Sequence, residues 1–388
     1  MIIIEKPYVS ELLIDTIVQN DWTVLDNDAL EIANIEDGVL KKFDEESAKA
    51  YYSRIEHPLV YSNSENAIRW FTANLPESNF SKTLTIFKDK SIFRDTFKDL
   101  FPNFRYQEVK FEDLSKIPLE SLQFPFVIKP AAGFMGFGVH IVYDDKDWRT
   151  TLSALEGEMQ YAKKLFEENV ISSTRFLIES YIQGDEFAID AYYDKDGHPV
   201  ILNIFQHPYL DSKDTRNRIY ITSAGIMMKY MAKFAFLLKQ IGDKIDVKNL
   251  ALHMEVRVTD DEEILPIEVN PMRFSGWCTT DVAKYAWGIN VYEYLLNQQK
   301  PDWNEILSKA NKGVYYFSMA EVPEGMDRSK IKSFNYEKFL ANYSNVLEVR
   351  RINPRNNPLF AIIFGQTNDK EEIKQILQLK TKDYITFS

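Results

Sequence analysis

The chain has little of what several protein classes require. Its 388 residues include a single cysteine, Cys278, which excludes an internal disulfide and a zinc site built from several thiols. We treat Cys278 as a small buried hydrophobe and leave it out of any site. Basic residues are fewer than acidic ones, 46 against 58, and the net charge of −12 disfavours binding to a phosphate backbone. Nucleic acid is therefore not an expected partner.

Long apolar runs are also missing. No run reaches the roughly 20 residues of a membrane helix, and the opening MIIIEKPY lacks the apolar core of a signal peptide. We therefore expect no membrane association and a cytoplasmic location. Neither GxGxxG nor a Walker-type GKS or GKT occurs in the chain. With 45% hydrophobic residues, the chain can bury substantial cores in two or three domains or lobes.

Three oxygen-bearing side chains stand out in LALHMEVRVTDDEEILPIEVNPMRFSG, residues 250–276. Strict alternation of apolar and polar residues predicts two strands joined by the acidic turn 260–263. Glu255 on the first strand would then share a point with Glu268 and Asn270 on the second. Two carboxylates and an amide suit a hard ion such as Mg²⁺. The alternative is that these acidic residues simply face water.

A second motif, FPFVIKPAAGFMGFGVHIV, joins two predicted strands through a glycine-rich loop. Lys129 ends the first strand, and Gly133, Gly136 and Gly138 follow it. Glycine backbone N–H groups can cradle phosphates, and a lysine supplies a positive charge. The alternative is an ordinary hairpin connection. The flanking lysine and the acidic hairpin downstream favour the phosphate site.

A third motif, FLIESYIQGDEFAIDAY, is a strand interrupted at residues 183–185 and then resumed. Glu186 and Asp190 share a face of the resumed strand. They could be solvated charges at a sheet edge. Upstream of all three motifs, residues 88–101 predict a basic amphipathic helix that stops at Pro102.

In this order and at these distances, the three motifs resemble the ATP-grasp superfamily, over about residues 88–296. The resemblance implies a mixed α/β and α+β fold. An N-terminal α/β domain would precede two α+β lobes that clamp ATP, and a small α+β segment would follow them. The expected domains are 1–85, 86–182, 183–300 and 301–388.

The resemblance also assigns residues to the nucleotide. It implies a lid formed by the glycine loop, a hinge that receives adenine largely through backbone groups, and a carboxylate for the ribose. The residues so assigned are Lys90, Lys129, Gly133, Gly136 and Gly138 for the phosphates, Glu179, Tyr181 and Ile182 for adenine, and Glu186 for the ribose.

By the same resemblance, Glu255, Glu268 and Asn270 match the ligands of two Mg²⁺ ions, with Mn²⁺ as an alternative ion. Arg273 matches the arginine that steadies the transferred phosphate. The sequence departs from the usual form here, because an additional residue, Met272, precedes that arginine.

The segment QHPYLDSKDTRNRIYITSAG is the predicted substrate-recognition region. It contains His207, Arg216 and Arg218, and arginine pairs well with carboxylates and acyl phosphates. We rank Arg218 first because it begins the strand-like RIYIT. The alternative is a solvated basic loop. The predicted catalytic residues are Arg273, Lys129 and Arg218.

The predicted activity is an ATP-dependent ligase that joins a carboxylate to an amine or ammonia through an acyl phosphate, with release of ADP and phosphate. Two alternatives stay open, a small-molecule kinase and an ATP-binding regulatory protein without turnover. The expected partners are small molecules, and the C-terminal segment could form a contact in a homodimer.

Overall fold

A computed structural model describes residues 1–36, 38–133, 138–165, 174–209, 218–323 and 325–387. The chain divides into two compact units. The first unit contains Met1–Ala67, Asp185–His253 and Met272–Ser388, and the second contains Ile68–Gly184 and Met254–Pro271. Sheets and helices occur in both units, and the predicted mixed α/β and α+β fold is confirmed. The four predicted domain boundaries stay a prediction.

The strands of the described residues are numbered in chain order. They are β1 (Ile2–Ile3), β2 (Thr23–Leu25), β3 (Lys41–Phe43), β4 (Tyr61–Ser62), β5 (Tyr106–Lys110), β6 (Phe126–Pro130), β7 (His140–Val142), β8 (Arg175–Ser180), β9 (Asp185–Tyr193), β10 (Pro199–His207), β11 (Ile219–Thr222), β12 (Leu250–Val258), β13 (Ile264–Pro271), β14 (Val314–Glu321), β15 (Ile331–Phe334), β16 (Val346–Arg351), β17 (Leu359–Thr367) and β18 (Ile385–Phe387).

The α-helices of the same residues are numbered likewise. They are α1 (Glu11–Gln19), α2 (Glu45–Tyr52), α3 (Ile68–Asn74), α4 (Asn79–Lys88), α5 (Lys90–Phe97), α6 (Asp145–Leu165), α7 (Ala224–Ile245), α8 (Val282–Trp287), α9 (Val291–Leu296), α10 (Trp303–Lys309), α11 (Tyr336–Leu340) and α12 (Lys370–Gln378). None of these described helices combines the length and the apolar character that a membrane span needs.

The first unit begins with a parallel sheet. Its strand order is β3-β2-β1-β4, and α1 and α2 connect successive parallel strands. Ile2 and Ile3 of β1 are fully buried, as are Leu13 and Ile17 of α1, because a parallel sheet covered by helices has no solvated face. The N-terminal α/β arrangement expected from the sequence is present.

An antiparallel sheet forms the larger part of the first unit. Within it, β9, β10, β11, β14, β17 and β16 are neighbours in that order. Strand β17 is buried on both faces, with Phe360 and Ile363 in one apolar cluster and Ile362 and Phe364 in another. On β9, the ring of Phe187 lies 4.3 Å from that of Tyr230 in α7.

The second unit is built on the antiparallel sheet β5-β8-β6-β7. Helix α6 covers this sheet, and Trp148 packs edge-on against Phe126, with ring centroids 5.5 Å apart. Strands β12 and β13 are hydrogen-bonded neighbours, and Thr259 and Glu263 close the turn between them. The acidic hairpin predicted from the sequence is therefore present.

The single helix predicted over residues 88–101 is wrong in its boundaries. Helix α4 ends at Lys88 and α5 begins at Lys90. Asp89 separates them, because its carboxylate accepts the N–H groups of Ser91 and Ile92, both at 3.0 Å, and so caps α5. The cap places Lys90 at the first position of α5, where its own N–H donates to the carbonyl of Ala131 at 2.9 Å.

A buried ionic network joins distant segments of the first unit. Arg350 on β16 donates to Asp281 at 2.6 Å and to Glu348 at 2.8 Å. Asp281 also accepts from Ser10 at the start of α1 and from Tyr292 in α9. Side chains of Arg350 and Asp281 are 7% and 0% exposed, so neither charge has water to stabilise it. The network fixes the N-terminal sheet to the C-terminal part of the unit.

The Arg350→Met variant tests this network. The substitution leaves Asp281 buried without its cation, and we expect the free energy of unfolding to fall by about 3–5 kcal/mol in urea denaturation. Lys239→Met is the control, because Lys239 pairs with Asp243 on an exposed helix face. That variant should lose less than about 1 kcal/mol. Equal losses in the two variants would contradict the assignment.

Candidate active site

In the second unit, the acidic hairpin contacts Lys90 of α5, the lysine that the sequence predicts to bind phosphate. The Nζ atom of Lys90 lies 2.9 Å from Oε2 of Glu268 on β13. Asn270 donates from Nδ2 to Oε1 of the same carboxylate at 3.1 Å. Only 10% of the Lys90 side chain and 24% of the Glu268 side chain are exposed. The structure therefore brings Lys90, Glu268 and Asn270 together.

A second charged cluster surrounds Glu179, at the end of β8. Its Oε1 pairs with Lys129 of β6, and its Oε2 accepts from Nε of Arg94 at 3.0 Å. Lys129 and Arg94 both also donate to the carbonyl of Ile267 on β13, each at 3.4 Å. Arg94, Lys129 and Glu179 are all at least nine-tenths buried. The cluster has two cations and one anion.

The protonation of the cluster follows from this imbalance. Burial lowers the pKa of Lys129 to about 8, against the opposing effect of Glu179. Burial alone would raise the pKa of Glu179, but Arg94 and Lys129 together bring it below its usual range. Burial likewise acts to raise the pKa of Glu268, and Lys90 and Lys88 outweigh it, so that the pKa of Glu268 lies well below its usual range. Both carboxylates are therefore ionised at neutral pH.

Sequence reasoning missed Arg94. Its position was available in the sequence, because it follows Lys90 by four residues on α5, and residues so spaced lie on the same helix face. The guanidinium also lies 4.4 Å from the ring of Phe104. Nη1 of Arg94 is buried with no hydrogen-bond partner among the described residues. Arg94 thus adds a cation to the set that the sequence predicted.

The predicted phosphate loop is described only at its two ends. Lys88 donates to the carbonyl of Gly133 at 3.1 Å, which fixes the start of the loop next to α4 and α5. Gly138 has a φ of +70°, in the left-handed region that favours glycine. Gly136 lies outside the described residues, as does Arg216 of the predicted substrate segment. Their roles stay predictions.

The predicted adenine hinge follows β8 directly. Tyr181 is partly exposed and Ile182 is buried. The N–H of Tyr181 donates to the carbonyl of Pro125 at 3.4 Å. The Glu179 side chain points into the charged cluster already described. Backbone groups at Ser180 to Ile182 are consequently the part of this segment that could receive a base.

The donor set of the hairpin fits a hard divalent cation. Glu268 and Asn270 share one face of β13, and Glu255 lies half-buried on the neighbouring strand β12. All of these side chains offer oxygen, which is the ligand atom that Mg²⁺ prefers. The carboxylate of Glu268 already pairs with a cation, because the ammonium group of Lys90 lies 2.9 Å from it. The residues present thus fit the predicted metal.

Three predicted residues belong to the first unit. Glu186 on β9 accepts a hydrogen bond from the hydroxyl of Tyr209 at 2.6 Å. Tyr209 packs edge-on against His207, with ring centroids 4.2 Å apart. Arg218 is half-buried directly before β11, and its carbonyl accepts the N–H of Met319 at 3.0 Å. The third residue is Arg273.

The additional residue before Arg273 forms a kink after β13. Met272 has a φ of +67° and is fully buried. Its N–H donates to Ala251 at 2.8 Å, and its carbonyl accepts the N–H of Ser62 at 2.9 Å. The guanidinium of Arg273 lies 3.9 Å from the carboxylate of Glu65. Met272 therefore holds the backbone that carries Arg273 by two hydrogen bonds rather than leaving it loose.

A buried Asp–His–Ser cluster holds the same backbone further on. Oδ1 of Asp190 accepts the N–H and the hydroxyl of Ser275, at 2.8 and 3.0 Å, and lies 2.9 Å from Nδ1 of His253. A hydrolytic triad needs serine and aspartate on opposite ring nitrogens. Here the hydroxyl of Ser275 lies 2.9 Å from Nδ1, the same atom that meets Asp190. The cluster is a structural anchor for the segment that follows Arg273.

The cluster of Asp194, Asp196 and His198 in the first unit belongs to a turn. Ligand atoms of Asp194, Asp196 and His198 lie within 4.8 Å of one another. Asp194 is buried, however, and Lys300 already pairs with its Oδ2 at 2.7 Å. Its Oδ1 accepts the N–H groups of Asp196 and His198 at 2.9 and 2.8 Å. These bonds account for the cluster.

Comparison with known proteins bears on this arrangement. Residues 122–281 match the family model described as the ATP-grasp domain. These residues are identified as an ATP-grasp domain. The sequence-based identification is confirmed, and with it the predicted ATP-grasp fold and the prediction of an ATP-grasp enzyme. A comparison with curated protein sequences gives no match.

Solved structures of similar fold span nearly the full chain. An L-amino acid ligase from Bacillus licheniformis is 16% identical with a TM-score of 0.66, over 100% of this chain and 98% of that one. An N5-carboxyaminoimidazole ribonucleotide synthetase from Thermotoga maritima is 16% identical with a TM-score of 0.63, over 100% and 98%. A biotin carboxylase from Campylobacter jejuni is 13% identical with a TM-score of 0.63, over 100% and 91%. At these identities the likeness is one of fold.

Asp190→Asn tests the anchor in the first unit. The N–H and the hydroxyl of Ser275 both donate to the carboxylate of Asp190, and a neutral amide is a weaker acceptor. We expect the free energy of unfolding to fall by about 2–4 kcal/mol. Ser275→Ala removes only the hydroxyl and should cost about 1 kcal/mol. Asp196→Asn, at an exposed position in the turn after β9, is the control and should change stability by less than about 0.5 kcal/mol. Chemical denaturation measures all three, and a harmless Asp190→Asn would rule out the anchor.

Proposed function

We propose that this protein is an ATP-dependent ligase that joins a carboxylate to an amine or ammonia through an acyl phosphate. The observation that carries the proposal is the cluster of Lys90, Glu268 and Asn270 in the second unit. A carboxylate and an amide held against a lysine offer ligands for a cation and a charge for phosphates within one small space. Phosphoryl transfer from ATP needs that combination.

The proposed reaction has two steps. A carboxylate oxygen of the substrate attacks the γ-phosphorus, the bond from that phosphorus to the β–γ bridging oxygen breaks, and ADP leaves. The amine nitrogen then attacks the acyl carbon, the bond from that carbon to the phosphate oxygen breaks, and inorganic phosphate leaves as the nitrogen loses a proton. No side chain of the protein forms a covalent intermediate.

The residues of the second unit have distinct parts in this proposal. Lys90 and Lys129 neutralise the phosphates, and Glu179, which Arg94 holds by a hydrogen bond, pairs with the ammonium of Lys129. Glu255, Glu268 and Asn270 would hold Mg²⁺, which would supply charge neutralisation at the phosphate oxygens when bound. The count of two ions stays a proposal. Arg273 and Arg218 of the first unit are assigned to the substrate carboxylate and its phosphate.

The activities named for two of the similar structures support this choice of reaction. One is a ligase of L-amino acids and another is a synthetase of a ribonucleotide. A small-molecule kinase is the alternative, and it would stop after the first step. The two are separated by the product. A ligase releases phosphate only when acid and amine are both present, and a kinase accumulates a phosphorylated acid with the acid alone.

A substrate screen tests the proposal directly. Purified protein with Mg²⁺ and ATP is supplied with pooled amino acids, small acids and peptides, first singly and then in pairs, and ADP and phosphate are measured. Phosphate release that requires two pools supports the ligase. ATP turnover with one pool alone, together with a stable phosphorylated product, would show a kinase instead of a ligase. ATP binding without any turnover would favour the regulatory alternative.

Glu268→Gln tests the metal assignment. Glutamine keeps the size of the side chain and removes the charge, so we expect ATP turnover to fall on the order of 10²-fold or more and Mg²⁺ to lose its effect on ATP affinity. Glu262→Gln is the matched control, because Glu262 is exposed in the turn of the same hairpin. Calorimetric titration with and without Mg²⁺ gives a readout that does not need the substrates. Unchanged Mg²⁺ dependence in Glu268→Gln would remove the assignment.

The pKa of Lys129 makes ATP binding depend on pH. A phosphate beside Lys129 raises its pKa above the value of about 8 in the structure, so bound ATP stabilises the protonated lysine. Affinity contributed by Lys129 is full below pH 8 and is lost as the pH rises above it, by at most about tenfold per pH unit. Calorimetry in buffers of different ionisation enthalpy should show uptake of up to about one proton at pH 9 and little at pH 7.

Lys129→Met is the control for that measurement. It leaves Arg94 to balance Glu179, so the buried pair at β8 keeps its charge balance. The variant should bind ATP more weakly and without the proton uptake at pH 9. The same uptake in Lys129→Met would show that another group is responsible.

A further inference from the structure

The junction between α4 and α5 in the second unit places a lysine on each side of Asp89. Lys88 ends α4, and Lys90 begins α5. The buried carboxylate of Asp89 accepts two backbone N–H groups in the first turn of α5 and pairs with Arg175 of β8 at 2.8 Å. These bonds fix the backbone of the junction, and with it the points from which the two lysine side chains extend.

Both lysines are bonded to the segment that starts the predicted phosphate loop. The Nζ atom of Lys88 donates to the carbonyl of Gly133 at 3.1 Å. Two residues earlier, the carbonyl of Ala131 accepts the backbone N–H of Lys90 at 2.9 Å. The segment directly follows β6, the strand that carries Lys129. Lys88 is therefore held at the same place in the unit as the two lysines already assigned to phosphate.

Lys88 also acts on the proposed metal ligand of β13. Burial tends to raise the pKa of Glu268, but the charge of Lys90, followed by that of Lys88, outweighs burial and holds this pKa well below its usual range. Charges near a protein surface act on one another over about 10 Å. The ammonium group of Lys88 thus lies close to Glu268 as well as to Gly133. Lys88 is partly exposed, whereas Lys90 and Lys129 are buried.

This position indicates which part of a nucleotide Lys88 would meet. A divalent ion in a nucleoside triphosphate site contacts the β- and γ-phosphates. A cation beside Glu268, the carboxylate proposed to hold that ion, faces this end of the triphosphate rather than the base. One ammonium group can donate to more than one acceptor, so the bond to Gly133 is compatible with a contact to a phosphate oxygen.

We propose that Lys88 is a third phosphate-binding lysine, which contacts the β- and γ-phosphates of the nucleotide. The inference rests on the proposed function, because it requires a nucleotide at this site. The resemblance to the ATP-grasp superfamily assigns only Lys90 and Lys129 to the phosphates. The bond to Gly133 and the position beside Glu268 add Lys88 to them.

Lys88→Met tests the inference in calorimetric titrations with Mg·ATP and with AMP at pH 7. AMP keeps the base, the ribose and the α-phosphate, and it lacks the two phosphates that Lys88 contacts. We expect the affinity for ATP to fall on the order of tenfold or more, because a charge-assisted bond is lost. The affinity for AMP should change by less than about twofold. Lys88→Arg retains a cation with donors and should bind ATP within about threefold of wild type.

Equal losses for AMP and ATP would show that Lys88 only anchors Gly133, and would overturn the inference. Unchanged ATP binding in Lys88→Met would overturn it too. Salt gives a second readout, since a partly exposed cation is screened. The difference in ATP affinity between wild type and Lys88→Met should shrink as NaCl rises from about 0.05 to about 0.5 M. A difference that does not depend on salt would contradict a role of the charge.

Lys82→Met is the matched control. Lys82 lies on the same helix, is exposed, and has its Nζ atom 3.7 Å from the carboxylate of Glu77, so the variant loses the same charge away from the site. It should bind ATP as wild type does. If Lys88→Met does not fold, as judged by thermal unfolding, Lys88→Gln replaces it with the same expectations. Wild-type protein that binds no nucleotide removes the proposed function, whereas the contradicting results with Lys88 variants remove only this inference.

Discussion

Two cations cannot be buried side by side without an anion between them, and in the second unit Glu179 is that anion. Burial lowers the pKa of Lys129, and Glu179 offsets this only in part because Arg94 shares its carboxylate. The lowered pKa falls on Lys129, the residue that the proposed function places against phosphate. The cluster of Arg94, Lys129 and Glu179 can accept an additional anion, because it has two cations and one carboxylate.

The neighbouring pair of Lys90 and Glu268 has the opposite balance. One carboxylate, one amide and one lysine leave oxygen atoms available for a second positive charge. A site with excess cation at Lys129 and Arg94, and oxygen ligands at Glu268 and Asn270, suits the complex of a polyphosphate with a divalent ion better than it suits either alone. That complementarity supports the proposed use of ATP over simple metal or anion binding.

Alternation of residue types made the acidic hairpin predictable, because one face of β12 is buried and Leu252, Met254 and Val256 mark it. Strand β10 was missed for the opposite reason, since PVILNIFQH is buried on both faces and its run of apolar residues has no period. The boundary between α4 and α5 depends on the cap at Asp89 rather than on the apolar pattern. Contacts between side chains that are far apart in the sequence are harder still to predict. Glu179 finds Arg94 across 85 residues of chain, and a single sequence contains no record of that contact.

The network of Arg350, Asp281 and Ser10 has a consequence for the order in which the protein can form. During synthesis Ser10 and Asp281 emerge from the ribosome well before Arg350, which donates to both and neutralises Asp281. A nascent chain that ends before β16 must either leave Asp281 in water or bury an uncompensated charge, which costs several kcal/mol. The N-terminal sheet and helix α8 therefore cannot reach their final packing vectorially, and the last quarter of the chain completes the first unit.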